Sequence, residues 1–173
     1  MSQIPPSFEI RMAEFEVADR DIFLADLRRI ARHAGTTIVC FDTENLAGMR
    51  HAEAAIVHAL RSWNAGAAVA NSFEMEALLF ASGSRQCSVA ASFGVHDGKN
   101  CSYIFCCPPR DGVWDALAPL VRYVKDTGGA PKGAQRARLK ELFSISEEEV
   151  AAAGESKFAD LVLERVALLE VYR

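Results

Sequence analysis

The stretch VANSFEMEALLFASGSRQ, Val69 to Gln86, predicts a helix that is apolar on nearly every side yet carries a carboxylate, Glu76, in its middle. Asn71 and Glu74 have capping-box spacing: the Asn side chain can accept from an early backbone N–H while Glu74 reaches back to the N-cap amide. The helix is therefore expected to start at Ser72, and Gly83 fits the left-handed residue that closes it about three turns later. At 100° per residue, Phe73, Met75, Ala77, Leu78, Leu79, Phe80 and Ala81 surround almost the whole cylinder, so this helix is expected to be central and buried. Glu76 then falls between Leu79 and Phe80. A carboxylate there needs a partner, and Arg61, Arg85 or the free N–H groups of a neighbouring helix are the candidates.

Upstream, SFEIRMAEFEV alternates Phe8, Ile10 and Met12 and reads as a first strand. Asp19 can cap a following helix through His33, with Phe23, Leu27, Ile30 and Ala31 on one stripe, Arg28, Arg29 and Arg32 mostly outward, and Gly35 as its stop. TTIVCF is a short β-branched run, a second and buried strand, and DTENLAG a loop. From Met49 to Trp63 the set Ala52, Ala55, Ile56, Ala59, Leu60 and Trp63 recurs at helical spacing, with His51, His58 and Arg61 around the other side. NAGAA connects this helix to the central one.

Downstream, Val89 to Phe93 suits either a helical turn or a strand, HDGK is a turn, and CSYIFCC is a strand stopped by Pro108 and Pro109. A helix of about a dozen residues is expected around Trp114 to Lys125, and the remainder is helical apart from the Gly128 to Gly133 loop and a break at Gly154. A few strands among many helices, without regular βαβ alternation, give an α+β class: one domain over residues 1–173, a small, mainly antiparallel sheet surrounded by several helices.

The chain of 173 residues is half hydrophobic, large enough for a substantial core, and carries a formal charge of −4. That balance disfavours broad electrostatic capture of a duplex, which rests on many Lys and Arg contacts to phosphate, so any nucleic-acid role is local. The densest basic run, Lys132, Arg136, Arg138 and Lys140, is followed by Glu147, Glu148 and Glu149, and reads first as a loop leading into a solvated helix face. With no long apolar run and no secretion-type N-terminus, a cytoplasmic protein without membrane contact is expected. Five cysteines without a C-x-x-C pair suggest buried, reduced thiols. Because Cys101 and Cys107 alternate with Cys106 along one strand, the three cannot converge on a metal.

The sequence lacks G-x-G-x-x-G after a strand, G-x-x-x-x-G-K-[ST], G-x-S-x-G and H-E-x-x-H. His51 and His58 lie two turns apart with no third ligand near in sequence and read as exposed or core-edge residues. Asp42 and Glu44 fit the acidic character of a strand exit. A catalytic alternative remains in Glu76 as a general acid or base of a small-molecule-binding enzyme, beside His58.

The pattern A-N-S-F-x-M-E-x-L-x-x-A-S-G-x-x-Q, Ala70 to Gln86, resembles the signature of the small tRNA-recruiting subunit of the KEOPS complex, the PRPK-binding-protein family. His58-Ala59-Leu60 and VLERVALLEV, residues 162–171, fit the same family; residues 96–155 match it in layout only. The resemblance implies a non-catalytic subunit without a cofactor. Such a subunit binds the kinase/ATPase of KEOPS and holds the single-stranded CCA end of tRNA while threonylcarbamoyl is installed on the adenosine beside the anticodon. Holding an unpaired end needs a few base-edge partners and stacking surfaces, not a wide basic face. Position by position, Asn71, Ser72, Glu76, Ser82, Gly83 and Gln86 match the motif and are the implied pocket residues, with Arg61 and Arg85 placed to meet phosphate. Some members carry lysines where this chain has NAGAA, which shifts the positive charge here to Arg61, Arg85 or the 132–140 run.

On the last helix Lys157, Asp160 and Glu164 form a polar stripe whose continuation, Leu168 and Val171, is apolar. A helix end without a solvent face either inserts into its own domain or docks on another protein. The resemblance favours the second, with Leu168, Leu169, Val171 and Tyr172 meeting the kinase.

Overall fold

The computed structural model describes residues 7–172. In the strand β1 (Glu9–Val17), Ala13, Phe15 and Val17 are buried on one face, while Met12, Glu14 and Glu16 alternate with them on the other. Asp19 caps α1 (Arg20–Ala34), its carboxylate accepting from the Asp21 and Ile22 amides, and Gly35 ends the helix at φ 70°, both as the sequence predicts. The chain continues through β2 (Thr37–Asp42), α2 (Met49–Asn64), α3 (Phe73–Ser82), α4 (Cys87–Ala91), β3 (Gly98–Cys107), α5 (Val113–Leu117), β4 (Arg122–Val124), α6 (Gly133–Leu142), α7 (Glu147–Ala153) and α8 (Phe158–Val171). The fold is α+β. Its antiparallel sheet has the order β2-β3-β1-β4. β1 therefore lies between two strands that follow it by some eighty residues or more, with Glu9 opposite Cys106 on β3 and Met12 opposite Val124 on β4.

The chain packs as two compact units, each discontinuous in sequence. The first comprises the chain up to Cys40 together with Val95–Asp126. Here the α1 stripe Phe23, Leu27 and Ala31 joins the sheet face carrying Ala13, Phe15, Val17, Ile104 and Cys106, and Trp114, Leu117 and Val121 complete the core. Phe15 and Phe23 stack with ring centroids 4.8 Å apart. Trp114 Nε1 donates to Glu9 at 2.6 Å, and the Arg11 guanidinium lies 4.6 Å from the Trp114 ring centre.

The helix expected around Trp114 to Lys125 is only five residues long, because it ends at Leu117, two residues before Pro119. Pro119 has no amide to continue the ladder. The β-branched and aromatic Val121-Arg122-Tyr123-Val124 that follows supplies the edge strand β4 instead.

The second unit comprises Phe41–Gly94 and the chain from Thr127 onward. Ala52, Ala55 and Ala59 are fully buried on α2, and their short side chains let α3 approach closely with Ala77, Leu79, Phe80 and Ala81. α8 contributes Phe158, Val162, Val166 and Leu169 to the same unit. The left-handed φ of 59° at the end of α3 favours glycine at Gly83, and a Cβ there would just touch the Arg165 carbonyl oxygen at 3.4 Å. DTENLAG holds one tight helical turn, Thr43–Asn45, and α6 docks on it through Gln135 Nε2, which donates to the Thr43 and Leu46 carbonyls at 3.0 and 3.2 Å. The ambiguous segment before Phe93 is the short helix α4.

Register separates the cysteines of β3: Cys106 lies in the core of the first unit, while Cys101 and Cys107 point to the other face. None of the five thiols is in a disulfide, but of these, expected to be buried, Cys87 is exposed at the start of α4 and Cys101 is half-buried. Burial pushes the Cys40 thiol up to about 12, which keeps it protonated and unreactive.

Candidate nucleic-acid-end site around helix α3

The cap of α3 is Ser72, not Asn71: the Ser72 hydroxyl accepts from the Met75 amide at 3.2 Å from an extended backbone at φ −135°, ψ 151°. Moving the cap by one residue puts Met75 at the third helical position, so Glu74 does not close a capping box. A complete box occurs at α7 instead, where Ser146 and Glu149 satisfy each other's amides. Asn71 is left exposed on the connector.

Glu76 has no exposed surface. Its Oε1 accepts from the Ser62 hydroxyl at 2.8 Å, and its Oε2 accepts from the backbone amides of Val69 and Ala70, each at 3.1 Å. One carboxylate thus binds the last turn of α2 and the connector to the first turn of α3. The donors of these bonds are a hydroxyl of α2 and two amides of the connector, not Arg61, Arg85 or the N–H groups of a neighbouring helix, which were the candidates from sequence. A general acid or base must reach its substrate. Enclosed in this way, Glu76 has no opening through which to do so.

The remaining motif residues divide between the two ends of α3. A helix of ten residues is about 15 Å long. At the N-terminal end are exposed Asn71 and Ser72, and exposed Arg61 on the last turn of α2, which lies alongside through the Ser62–Glu76 bond. At the other end are Ser82, Gly83, Arg85 and Gln86. Ser82 is buried and donates to the Leu79 carbonyl at 2.9 Å, and Gly83 backs onto α8, so these two build the helix end and do not line a pocket. Arg85 and Gln86 are exposed, but they are too far from Asn71 to meet the same base.

The structure adds Trp63 and Val69 to the N-terminal end. Trp63 is 41 % exposed with its edge to Phe73 at 6.0 Å, and Val69 is 57 % exposed. The periodicity that assigned Trp63 to the buried stripe of α2 overlooked its position at the final turn, where the next element no longer covers the stripe. The basic run 132–140 is largely neutralised: Arg136 meets Glu155, Arg138 meets Glu44 at 3.9 Å and Lys140 meets Glu147.

His51, read from sequence as exposed or core-edge, is fully buried. The Ala47 amide donates to Nδ1 at 3.0 Å and Nε2 lies 2.8 Å from the Ala81 carbonyl, which fixes the neutral tautomer with its proton on Nε2. Burial lowers its pKa from 6.5 to about 4, against a smaller opposing effect of the Ala81 bond. The unfolded chain therefore binds this proton more readily. The contribution to stability is complete above pH 6.5 and is lost as the pH falls through 4, by about 3 kcal/mol in all. Denaturant unfolding between these pH values should show an acid-side slope that His51→Gln reduces by up to about 1.4 kcal/mol per pH unit.

His58 is a core-edge residue, stacked on Phe80 at 5.5 Å, and its Nδ1 lies 2.7 Å from Glu170 Oε2 on α8. Asp160, in the polar stripe of α8, meets Arg50 and Lys157, each at 3.5 Å. Leu169 is only 6 % exposed and belongs to the core of its own unit, which removes it from the docking set: its position in the helix faces inward. Leu168 is half-buried, while Val171 and Tyr172 are 72 % and 69 % exposed.

Among the described residues no helix is long and apolar enough to cross a membrane. Neither protein-family models nor curated proteins provide a match to this chain.

Proposed function

We propose that this protein is a non-catalytic accessory subunit of the KEOPS type, which binds the complex's kinase/ATPase and receives tRNA through its single-stranded CCA end. The observation that carries this reading is that the last turn of α2 and the start of α3 expose a tryptophan, Trp63, an arginine, Arg61, and the polar side chains of Asn71 and Ser72. Single-stranded nucleotides are held by such a set, because the ring stacks on any base face, the guanidinium meets phosphate, and the amide reads a base edge. Arg61 makes no ion pair among the described residues, so its charge is available. The buried Glu76 carboxylate supports the site by holding the connector that presents Val69 and Asn71. Trp63→Ala should weaken tRNA binding by about 1–3 kcal/mol, the usual worth of one base–aromatic stack, as measured by fluorescence anisotropy.

The exposed end of α8 suits the kinase contact, with Val171 and Tyr172 as apolar anchors and Leu168 behind them. Val171→Glu combined with Tyr172→Ala should remove measurable association with the kinase/ATPase in calorimetric titration, while the midpoint of denaturant unfolding stays within about 0.5 kcal/mol of wild type. Retained association would show that the kinase is bound elsewhere.

A further inference from the structure

The first unit carries a group of cations that the candidate site at α3 leaves unexplained. Arg28, Arg29, Arg32 and His33 occupy the exposed side of the last two turns of α1, opposite the buried stripe of Phe23, Leu27 and Ala31. Arg110 joins them: its Nε would lie 3.9 Å from a Cβ placed at Gly35, the residue that ends α1. Arg29 is paired with Asp26 at 2.7 Å. Arg28, Arg32 and Arg110 make no ion pair among the described residues, whereas the arginines and lysines of α6 are matched to carboxylates. In a protein of net charge −4, three unmatched guanidiniums at one end of one helix form a local positive field. The negative end of the helix dipole stabilises them there, which allows them to crowd without carboxylate partners.

Arg29 and His33 also form a wall of a cleft of 840 Å³, whose other lining includes Ile30, Pro119, Leu120 and Asp111. Asp111 is the single carboxylate in that lining. Guanidinium groups presented on one exposed helix face match a row of phosphates more closely than they match a single small anion.

We infer that this face of α1, with Arg110, contacts the phosphate backbone of RNA without regard to sequence, as a contact distinct from recognition of the CCA end. The inference rests on the reading of the chain as a tRNA binder. It differs in its signature, since phosphate contacts weaken uniformly with salt and base contacts do not.

The test compares the full-length wild type, Arg28→Gln/Arg32→Gln/Arg110→Gln and, as a charge control, Lys99→Gln/Lys125→Gln, which removes exposed cations elsewhere in the same unit. Each is titrated against intact tRNA and the same tRNA lacking CCA, as salt is raised from about 50 to about 200 mM. All five positions are exposed, and a thermal melt verifies that each variant is folded. The arginine variant should bind both RNAs about tenfold more weakly at low salt, with the slope of log affinity against log salt reduced by about two; the lysine variant should change little. Equal losses in the two variants, no loss in the arginine variant, or no salt-sensitive wild-type binding to the CCA-less tRNA would overturn the inference. Wild-type binding that ignores the CCA end but weakens in the arginine variant would leave this surface standing and remove the CCA reading.

Discussion

Replacing Glu76 by alanine should lower the unfolding free energy by roughly 3–5 kcal/mol, a large share of the stability of a chain this size. The substitution leaves the Ser62 hydroxyl and the Val69 and Ala70 amides facing the space vacated by the carboxylate. Each such group costs on the order of 1–3 kcal/mol when stripped of its partner, and water entering the space recovers part of the total. Glu76→Gln is milder, at about 1–3 kcal/mol, because the amide keeps one acceptor but turns an NH2 toward a donor. Urea denaturation measures both.

The same pair of variants separates support from contact. Because the carboxylate has no exposed surface, under the proposed function any effect on tRNA binding would pass through the connector, so affinity should fall in parallel with loosening of that segment. Limited proteolysis reads the loosening directly: cutting near Gly66 should rise in Glu76→Ala before global unfolding. Lost affinity in Glu76→Gln with unchanged stability and unchanged cutting would instead require that RNA reach the carboxylate.

How far this architecture could be read in advance depended on whether the signal was local. The first helix was legible because its cap Asp19, its apolar stripe and its stop Gly35 lie close together in sequence and agree. The strand β1 was legible too, although the buried face is Ala13, Phe15 and Val17, not the Phe8, Ile10 and Met12 that signalled it, and in β3 the alternation separated Cys106 from Cys101 and Cys107 as expected. Where two adjacent residues could perform the same task, sequence could not choose: Asn71 and Ser72 are both good caps, and the extended backbone at Ser72 decides. The shortness of α5 was encoded in Pro119, but the apolar run around it suggested a longer helix. The partners of Glu76 were the least legible, since Val69 and Ala70 donate through backbone atoms common to every residue, and only the fold of the connector brings them to the carboxylate. The burial of His51 was hidden similarly, because its partners are the Ala47 amide and the Ala81 carbonyl. The candidate site was legible as a motif, but its division between two helix ends, and the exposure of Trp63, required the structure.

The proposed function predicts that the terminal unpaired nucleotides dominate recognition. If the Trp63 ring stacks on one base and Arg61 and Asn71 meet neighbouring nucleotides of the same end, removing the CCA end takes away all three contacts at once. A stack alone is worth about 1–3 kcal/mol, so the combined loss should reach at least about a hundredfold in affinity. On the same proposal, the exposed face of α1 would contribute only the residual, salt-sensitive binding that survives the truncation. The most direct measurement is the equilibrium affinity of the full-length protein for intact tRNA and for the same tRNA without its CCA end, at near-physiological salt. A hundredfold or greater preference for the intact molecule, reduced in Trp63→Ala, is the predicted result; equal affinity for the two RNAs would contradict the account.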